Sequence, residues 1–173
     1  MKKIGLFYGP TGGSTERVAQ KITKAIGEEN VDLISVKDKK AADVDNYENI
    51  IFGISTVGKE TWDAENPPND WDLFLPEVEK VDYKDKKVAI FGLGDQVTYD
   101  LHFVDAMGIL ARRILKKNAT IVGQVDTEGY DFRDSEAIFD GKFIGLPVNE
   151  DFEPELTNER IDNWLKKVLP AFH

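Results

Sequence analysis

Residues 9–15 have the types and spacing of a phosphate-binding loop. They read Gly-Pro-Thr-Gly-Gly-Ser-Thr and follow a short apolar run at residues 3–8. Glycine lets the backbone approach a ligand closely, and a helix that begins here directs free N–H groups and the positive end of its dipole at the loop. No Walker A or Gly-x-Gly-x-x-Gly pattern is present, and no lysine or arginine stands between Lys3 and Arg17. The pattern favours a terminal monophosphate held by hydrogen bonds; the alternative is a plain turn in which Ser14 or Thr15 caps a helix.

Two further loops could complete a ligand site. Residues 55–70 and 94–102 each follow an apolar run, and Gly92 and Gly94 stand where the second loop begins. Tyr99 could lay its amphipathic ring over a planar ligand. Three loops of this kind suggest a phosphorylated planar cofactor, provided that they meet at one edge of the fold.

The elements that would bring these loops together alternate along the chain. Apolar, strand-like runs are separated by stretches with the periodicity of amphipathic helices. Continuous apolar strands joined by helices are typical of a parallel sheet covered on both faces, with ligands at the carboxyl ends of the strands. We therefore expect a doubly wound α/β fold and a single domain over residues 1–173. The predicted strands are residues 3–8, 31–36, 49–54, 87–93, 120–123 and 142–148, and the predicted helices are residues 15–26, a segment from about Trp71, residues 103–117 and a segment from about Asn158.

Composition excludes several classes of function. The chain has no cysteine, which excludes disulfides, iron–sulfur clusters and thiolate zinc sites, and we expect a cytoplasmic protein. Every apolar run in the sequence is much shorter than a membrane span, which needs about 18 residues. The two histidines, His102 and His173, have no spacing of a metal site or a catalytic triad, and we expect a surface or packing role for His102.

Charge points to a basic protein partner. The 173 residues include 32 acidic and 22 basic ones, for a net charge of −10. A phosphate backbone or an anionic membrane would repel such a chain, so neither nucleic acid nor membrane is an expected partner. The stretch from Glu60 to Asp105 contains twelve acidic residues and only four lysines. This acidic stretch could steer a basic partner, and simple solubility is the alternative interpretation.

Four stretches of the sequence resemble the long-chain flavodoxins, and the resemblance extends over essentially the whole chain. They are residues 4–9 with Thr15-Glu16, residues 91–96 followed by Tyr99, residues 127–132 and residues 141–146. The resemblance implies a flavodoxin-like five-stranded parallel sheet whose fifth strand is interrupted by an insertion at about residues 125–145. It also implies non-covalently bound flavin mononucleotide (FMN) and one-electron transfer.

The resemblance also implies a set of cofactor-binding positions. The loop after the first strand would bind the phosphate, the next loop would lie beside one flavin face, and the third would bind the other side with Tyr99 stacked on the ring. A later acid would lie near the ribityl chain. These positions are Pro10, Thr11, Gly12, Gly13, Ser14, Thr15, Thr56, Val57, Gly58, Gly94, Asp95, Tyr99 and Asp151.

Some of these residues depart from the family pattern. Pro10 has no N–H to donate, Gly12 lacks a hydroxyl group, and Val57 stands where many relatives place tryptophan. Trp62 is a further cofactor-binding candidate, because it could fold back over the flavin in place of the missing ring; core or loop packing is its alternative role.

The function implied is that of a monomeric, low-potential electron carrier rather than an enzyme. It would take electrons from a basic-surfaced reductase and deliver them to a low-potential acceptor enzyme. Two alternatives remain open from the sequence: an FMN-dependent NAD(P)H/quinone-type oxidoreductase, and a flavin-free flavodoxin-like binding module.

Overall fold

Apolar runs in the sequence become the strands of a parallel sheet. The computed structural model describes residues 1–55, 67–94 and 102–173. The strands follow the order β2-β1-β3-β4-β5, and all of their pairings are parallel. Their bounds are β1 Ile4–Tyr8, β2 Val31–Ser35, β3 Asn49–Ile54, β4 Lys87–Leu93 and β5 Thr120–Ile121.

Helices cover both faces of this sheet, as predicted. Their bounds are α1 Ser14–Ile26, α2 Ala41–Asp45, α3 Asp70–Val78, α4 Asp105–Leu115 and α5 Thr157–Ala171. Side chains alternate between faces along a strand, so Phe7 packs in the core beneath α2, α3 and α4, while Leu6 packs in the core beneath α1 and α5. All residues of β1 and β3 are buried, which explains why their sequences are continuously apolar.

The order of the strands fixes where a ligand can bind. The chain runs from β1 outward to β2, and then returns across β1 to β3 and β4. The crevice that this reversal opens lies beyond the carboxyl ends of β1 and β3. Trp71, at the start of α3, donates its indole N–H to the carbonyl oxygen of Gly53 at 2.8 Å, which fixes α3 near that edge.

The fifth strand is interrupted, as the resemblance to the long-chain flavodoxins implied. β5 pairs with the beginning of β4, and β9 (Leu146–Val148) pairs with its end, both in parallel. Between them lies an antiparallel sheet of β6 (Val125–Asp126), β7 (Ile138–Phe139) and β8 (Lys142–Phe143), in the order β6-β8-β7. We call residues 125–145 the insertion.

The structure corrects three details of the predicted elements. Residues 142–148 are not one strand, because β8 pairs within the small antiparallel sheet and β9 pairs with β4 of the main sheet. Gly145 lies between them, where a Cβ atom would lie 2.1 Å from the carbonyl oxygen of Ile90. α4 begins at Asp105 rather than at 103, because Val104 has a left-handed backbone with φ of 49°. α2 was not predicted, since its five residues are too few to show a periodicity.

None of the helices within the described ranges is long and apolar enough to cross a membrane.

Candidate cofactor-binding site

A cavity of about 460 Å³ opens at the carboxyl edge of the sheet. This volume falls within the range of about 300–1,000 Å³ typical of small-molecule sites. One end lies against the loop after β1, and the other against the beginning of α4. Its walls are formed by Pro10, Ser14, Thr15, Ser55, Leu93, Gly94, His102, Val104, Asp105, Ala106, Ile109, Glu150 and Asp151.

The first turn of α1 supplies free backbone donors at one end of this cavity. Gly13 is the N-cap residue, its backbone is extended, and no side chain caps the helix. The first N–H groups of a helix have no intrahelical acceptor, so those of Ser14 and Thr15 remain available to a ligand. The capping turn considered above is therefore wrong, because Ser14 and Thr15 lie inside the helix instead of capping it.

Glu16 of α1 forms hydrogen bonds that hold the loop between β1 and α1 in place. The Gly12 N–H donates to Glu16 Oε2 at 2.7 Å, and the Tyr8 hydroxyl donates to Glu16 Oε1 at 3.0 Å. Gly12 has φ of 80°, a left-handed conformation that favours glycine. Burial raises the pKa of Tyr8, and the hydrogen bond to Glu16 raises it further.

A cation also lies at the amino terminus of α1. Arg17 Nη2 donates to Ser14 Oγ at 2.8 Å from one turn further along α1. The sequence pattern indicated a loop without a lysine or arginine, which is correct for residues 9–15 but misses this contact. A guanidinium group beside Ser14 adds to the favourable field that the helix dipole provides for an anion.

The opposite end of the cavity is shaped by Gly94 and the start of α4. The Gly94 N–H donates to the Val148 carbonyl at 3.0 Å, and a Cβ atom on Gly94 would lie 2.7 Å from the Val104 side chain. Leu93, Val104, Ala106 and Ile109 give this end an apolar lining suited to a planar ring.

Two ionisable residues of this wall were not predicted as part of the site. His102 Nδ1 and Asp105 Oδ2 lie 3.1 Å apart, and Asp105 Oδ1 accepts the Glu136 N–H at 2.8 Å. Asp105 thereby connects the cavity wall to the insertion. The signal in the sequence was a histidine three residues before an acid at the start of a predicted helix, but it became specific only once α4 was placed beside the cavity.

Acidic residues line the side of the cavity that follows β9. Glu150 pairs with Lys21 at 3.5 Å and accepts the Thr157 hydroxyl at 2.7 Å. Asp151 is exposed at the same wall. A ligand in the cavity therefore lies beside at least one carboxylate that is open to solvent.

The structure brings five of the predicted residues together at the cavity: Pro10, Ser14, Thr15, Gly94 and Asp151. Thr11, Gly12 and Gly13 belong to the same loop but do not line the cavity. The remaining six lie outside the described residues, and their roles stay predictions: Thr56, Val57, Gly58, Trp62, Asp95 and Tyr99. No group of histidine, aspartate and glutamate side chains within residues 1–55, 67–94 and 102–173 could hold a metal ion.

The sheet order and the glycine-rich loop after β1 define the flavodoxin-like class of doubly wound α/β proteins. The flavodoxin family model matches residues 6–164. A flavodoxin of Synechocystis sp. is 41% identical over 170 residues, which cover 98% of each chain, and one of Haemophilus influenzae is 41% identical over 97% of this chain and 94% of its own. A solved structure of Fusobacterium nucleatum flavodoxin bound to flavin mononucleotide covers both chains fully, with a TM-score of 0.89 and 29% identity. The chain belongs to the flavodoxin family.

Proposed function

We propose that this protein is an electron carrier that binds FMN non-covalently in the cavity at the carboxyl edge of the sheet. The observation that carries the proposal is the uncapped amino terminus of α1 at one end of a cavity whose other end is lined mainly by apolar side chains. When bound, FMN supplies one-electron transfer, and the protein supplies its binding, its orientation and the surrounding charge. Membership of the flavodoxin family supports this function and does not favour the oxidoreductase or the flavin-free module.

The phosphate end of the cavity fits a monophosphate ester. Ser14 and Thr15 line the cavity there, the N–H groups of this first helical turn have no side-chain cap, and the positively charged Arg17 guanidinium donates to Ser14 Oγ. A helix N-terminus binds anions through free N–H groups and through its dipole. These residues would hold the phosphate of FMN, and riboflavin, which lacks it, would lose this part of the binding energy.

The acidic wall suits a low reduction potential. Reduction that adds negative charge in the cavity would be opposed by Asp151 and, more weakly, by the paired Glu150 and Asp105. Two unit charges 4 Å apart interact by about 1 kcal/mol in water and about 4 kcal/mol near a protein surface. The acidic side chains therefore favour the oxidised cofactor over a negatively charged reduced one.

The redox partners would carry basic surfaces. The net charge of −10 supports a basic reductase as donor and a low-potential enzyme as acceptor, since complementary charge speeds encounter. We also propose that the protein is a monomer and that residues 1–173 form a single domain; the one sheet that both cores share supports the single domain. The absence of cysteine from the sequence is compatible with the cytoplasmic location that we propose.

Two measurements test this function. FMN added to the apoprotein should bind 1:1 with quenching of its fluorescence, and riboflavin should bind more weakly. A basic NADPH-dependent reductase should then reduce the loaded protein. The rate should fall when ionic strength rises from about 0.01 M to about 0.15 M, because the Debye length shortens from about 30 Å to about 8 Å. Consumption of NADPH without a reductase, or failure to bind FMN, would contradict the proposal.

A further inference from the structure

Glu16 is the only side chain of the described residues that hydrogen-bonds a backbone N–H of the loop at residues 9–13. Its carboxylate bridges two donors from separate places in the chain. One is the Gly12 N–H in the loop at 2.7 Å, and the other is the Tyr8 hydroxyl at the end of β1 at 3.0 Å. The loop is thereby tied to the sheet through a single side chain.

The position of Glu16 in α1 explains why the bond leaves the anion site open. Glu16 is the third residue of the helix, and a glutamate there commonly reaches back to the N-cap residue. Here the Glu16 carboxylate accepts the N–H of Gly12 instead of that of the N-cap residue Gly13. The left-handed conformation of Gly12 directs its N–H toward the carboxylate. The N–H groups of Ser14 and Thr15 are left without a side-chain cap.

The carboxylate has two opposing effects on an anion in the loop. Its hydrogen bonds hold Gly12 in place, so that less loop ordering is needed when the phosphate binds, and ordering costs weaken binding. Its charge, in contrast, repels the phosphate. Removal of the whole side chain and removal of the charge alone should therefore have different consequences.

We propose that Glu16 is a positioning residue that preorganises the loop for the phosphate of FMN by tying Gly12 to Tyr8, and so makes the site prefer the phosphorylated flavin over riboflavin. The inference rests on the function proposed above. It assigns this selectivity to the hydrogen bonds of Glu16 rather than to its charge.

Three variants of the apoprotein test this role through binding. Glu16→Ala removes both hydrogen bonds, and its dissociation constant for FMN should rise about tenfold, equivalent to about 1.4 kcal/mol. Its affinity for riboflavin should be unchanged. Glu16→Gln retains an amide oxygen for Gly12 and an amide group for the Tyr8 oxygen, so it should bind FMN at least as tightly as the native protein. Glu28→Ala removes an exposed carboxylate beyond the other end of α1 and controls for net charge.

The results separate this inference from the proposed function. Failure of the native apoprotein to bind FMN would contradict the function itself. If the native protein binds FMN but Glu16→Ala binds it equally well, or loses the same factor for riboflavin, the positioning role is wrong. Weakening by Glu16→Gln as large as that by Glu16→Ala would also overturn it. Denaturant unfolding of each variant measures its overall stability, so that a change in flavin affinity can be assigned to the loop and not to a loss of the whole fold.

Discussion

Arg160 on α5 fastens the insertion to the body of the protein, and its removal should destabilise the fold measurably. Its guanidinium group lies 4.2 Å from the centre of the Tyr130 ring. Arg160 Nη2 donates to the Gly129 carbonyl at 3.3 Å and to Glu153 Oε1 at 3.2 Å. The side chains of Arg160 and Glu153 are only 13% and 22% exposed, so solvent screens this pair less than a surface pair.

The expected loss follows from these contacts. Stacking of a cation on an aromatic ring contributes about 0.5–2 kcal/mol, and the ion pair contributes about 1 kcal/mol. Arg160 Nη1 is buried without a hydrogen-bond acceptor among the described residues, and its removal would return about 1 kcal/mol. Replacement Arg160→Met keeps much of the aliphatic packing, so we expect a net loss of about 0.5–2 kcal/mol in the free energy of unfolding.

Urea denaturation of the apoprotein measures this loss. With a slope of about 2 kcal/mol/M, the midpoint of Arg160→Met should fall by about 0.25–1 M. Lys166→Met, which removes a cation from the exposed face of the same helix, should change it little. An Arg160→Met midpoint equal to that of the native protein would contradict this expectation, because the contacts of the guanidinium group would then do no more than offset the cost of its desolvation.

Two other substitutions test the packing of the insertion and the ionisation of a tyrosine. Gly108→Ala places a Cβ atom 2.1 Å from the Glu136 carbonyl oxygen. Overpacking of this kind should lower the free energy of unfolding, measured by urea denaturation, by about 1–3 kcal/mol. An unchanged midpoint would show that α4 and the insertion are not in close contact. Burial, followed by the hydrogen bond to Asp32, raises the pKa of Tyr47 from 10.0 to about 12. Because the folded pKa lies above the unfolded one, this contribution to stability is complete below pH 10 and is lost as pH rises to about 12. Tyr47→Phe should therefore flatten the decline of stability over this pH window, and an equally steep decline in the variant would contradict the assignment.

Much of the fold could be predicted because its signals are local. β1, β3 and β4 are buried on both faces, and their continuous apolar runs mark their bounds to within a residue. The loop after β1 was placed correctly at the amino terminus of a helix, because glycine and hydroxyl residues separate a strand pattern from a helix pattern there. These features depend on neighbours in the sequence.

Features that depend on distant contacts could not be predicted. The division of residues 142–148 into β8 and β9 reflects pairing with two different sheets, and the need for glycine at 145 reflects the Ile90 carbonyl, which is 55 positions away in the chain. The role of Asp105 in the cavity wall requires the Glu136 N–H from the insertion. The bond from Glu16 to Gly12 is close in sequence, but it depends on a left-handed residue and on a tyrosine at the end of a strand. Periodicity carries no signal for any of these contacts.

The proposed function depends on binding of the FMN phosphate at the amino terminus of α1. A titration of ¹⁵N-labelled apoprotein with FMN, followed by backbone amide NMR, reports on this binding at the amides concerned. We expect the amide signals of Ser14 and Thr15 to move strongly with FMN and to remain nearly unmoved at saturation with riboflavin. Equal shifts with both flavins, or no shift at these amides when FMN is bound, would contradict it.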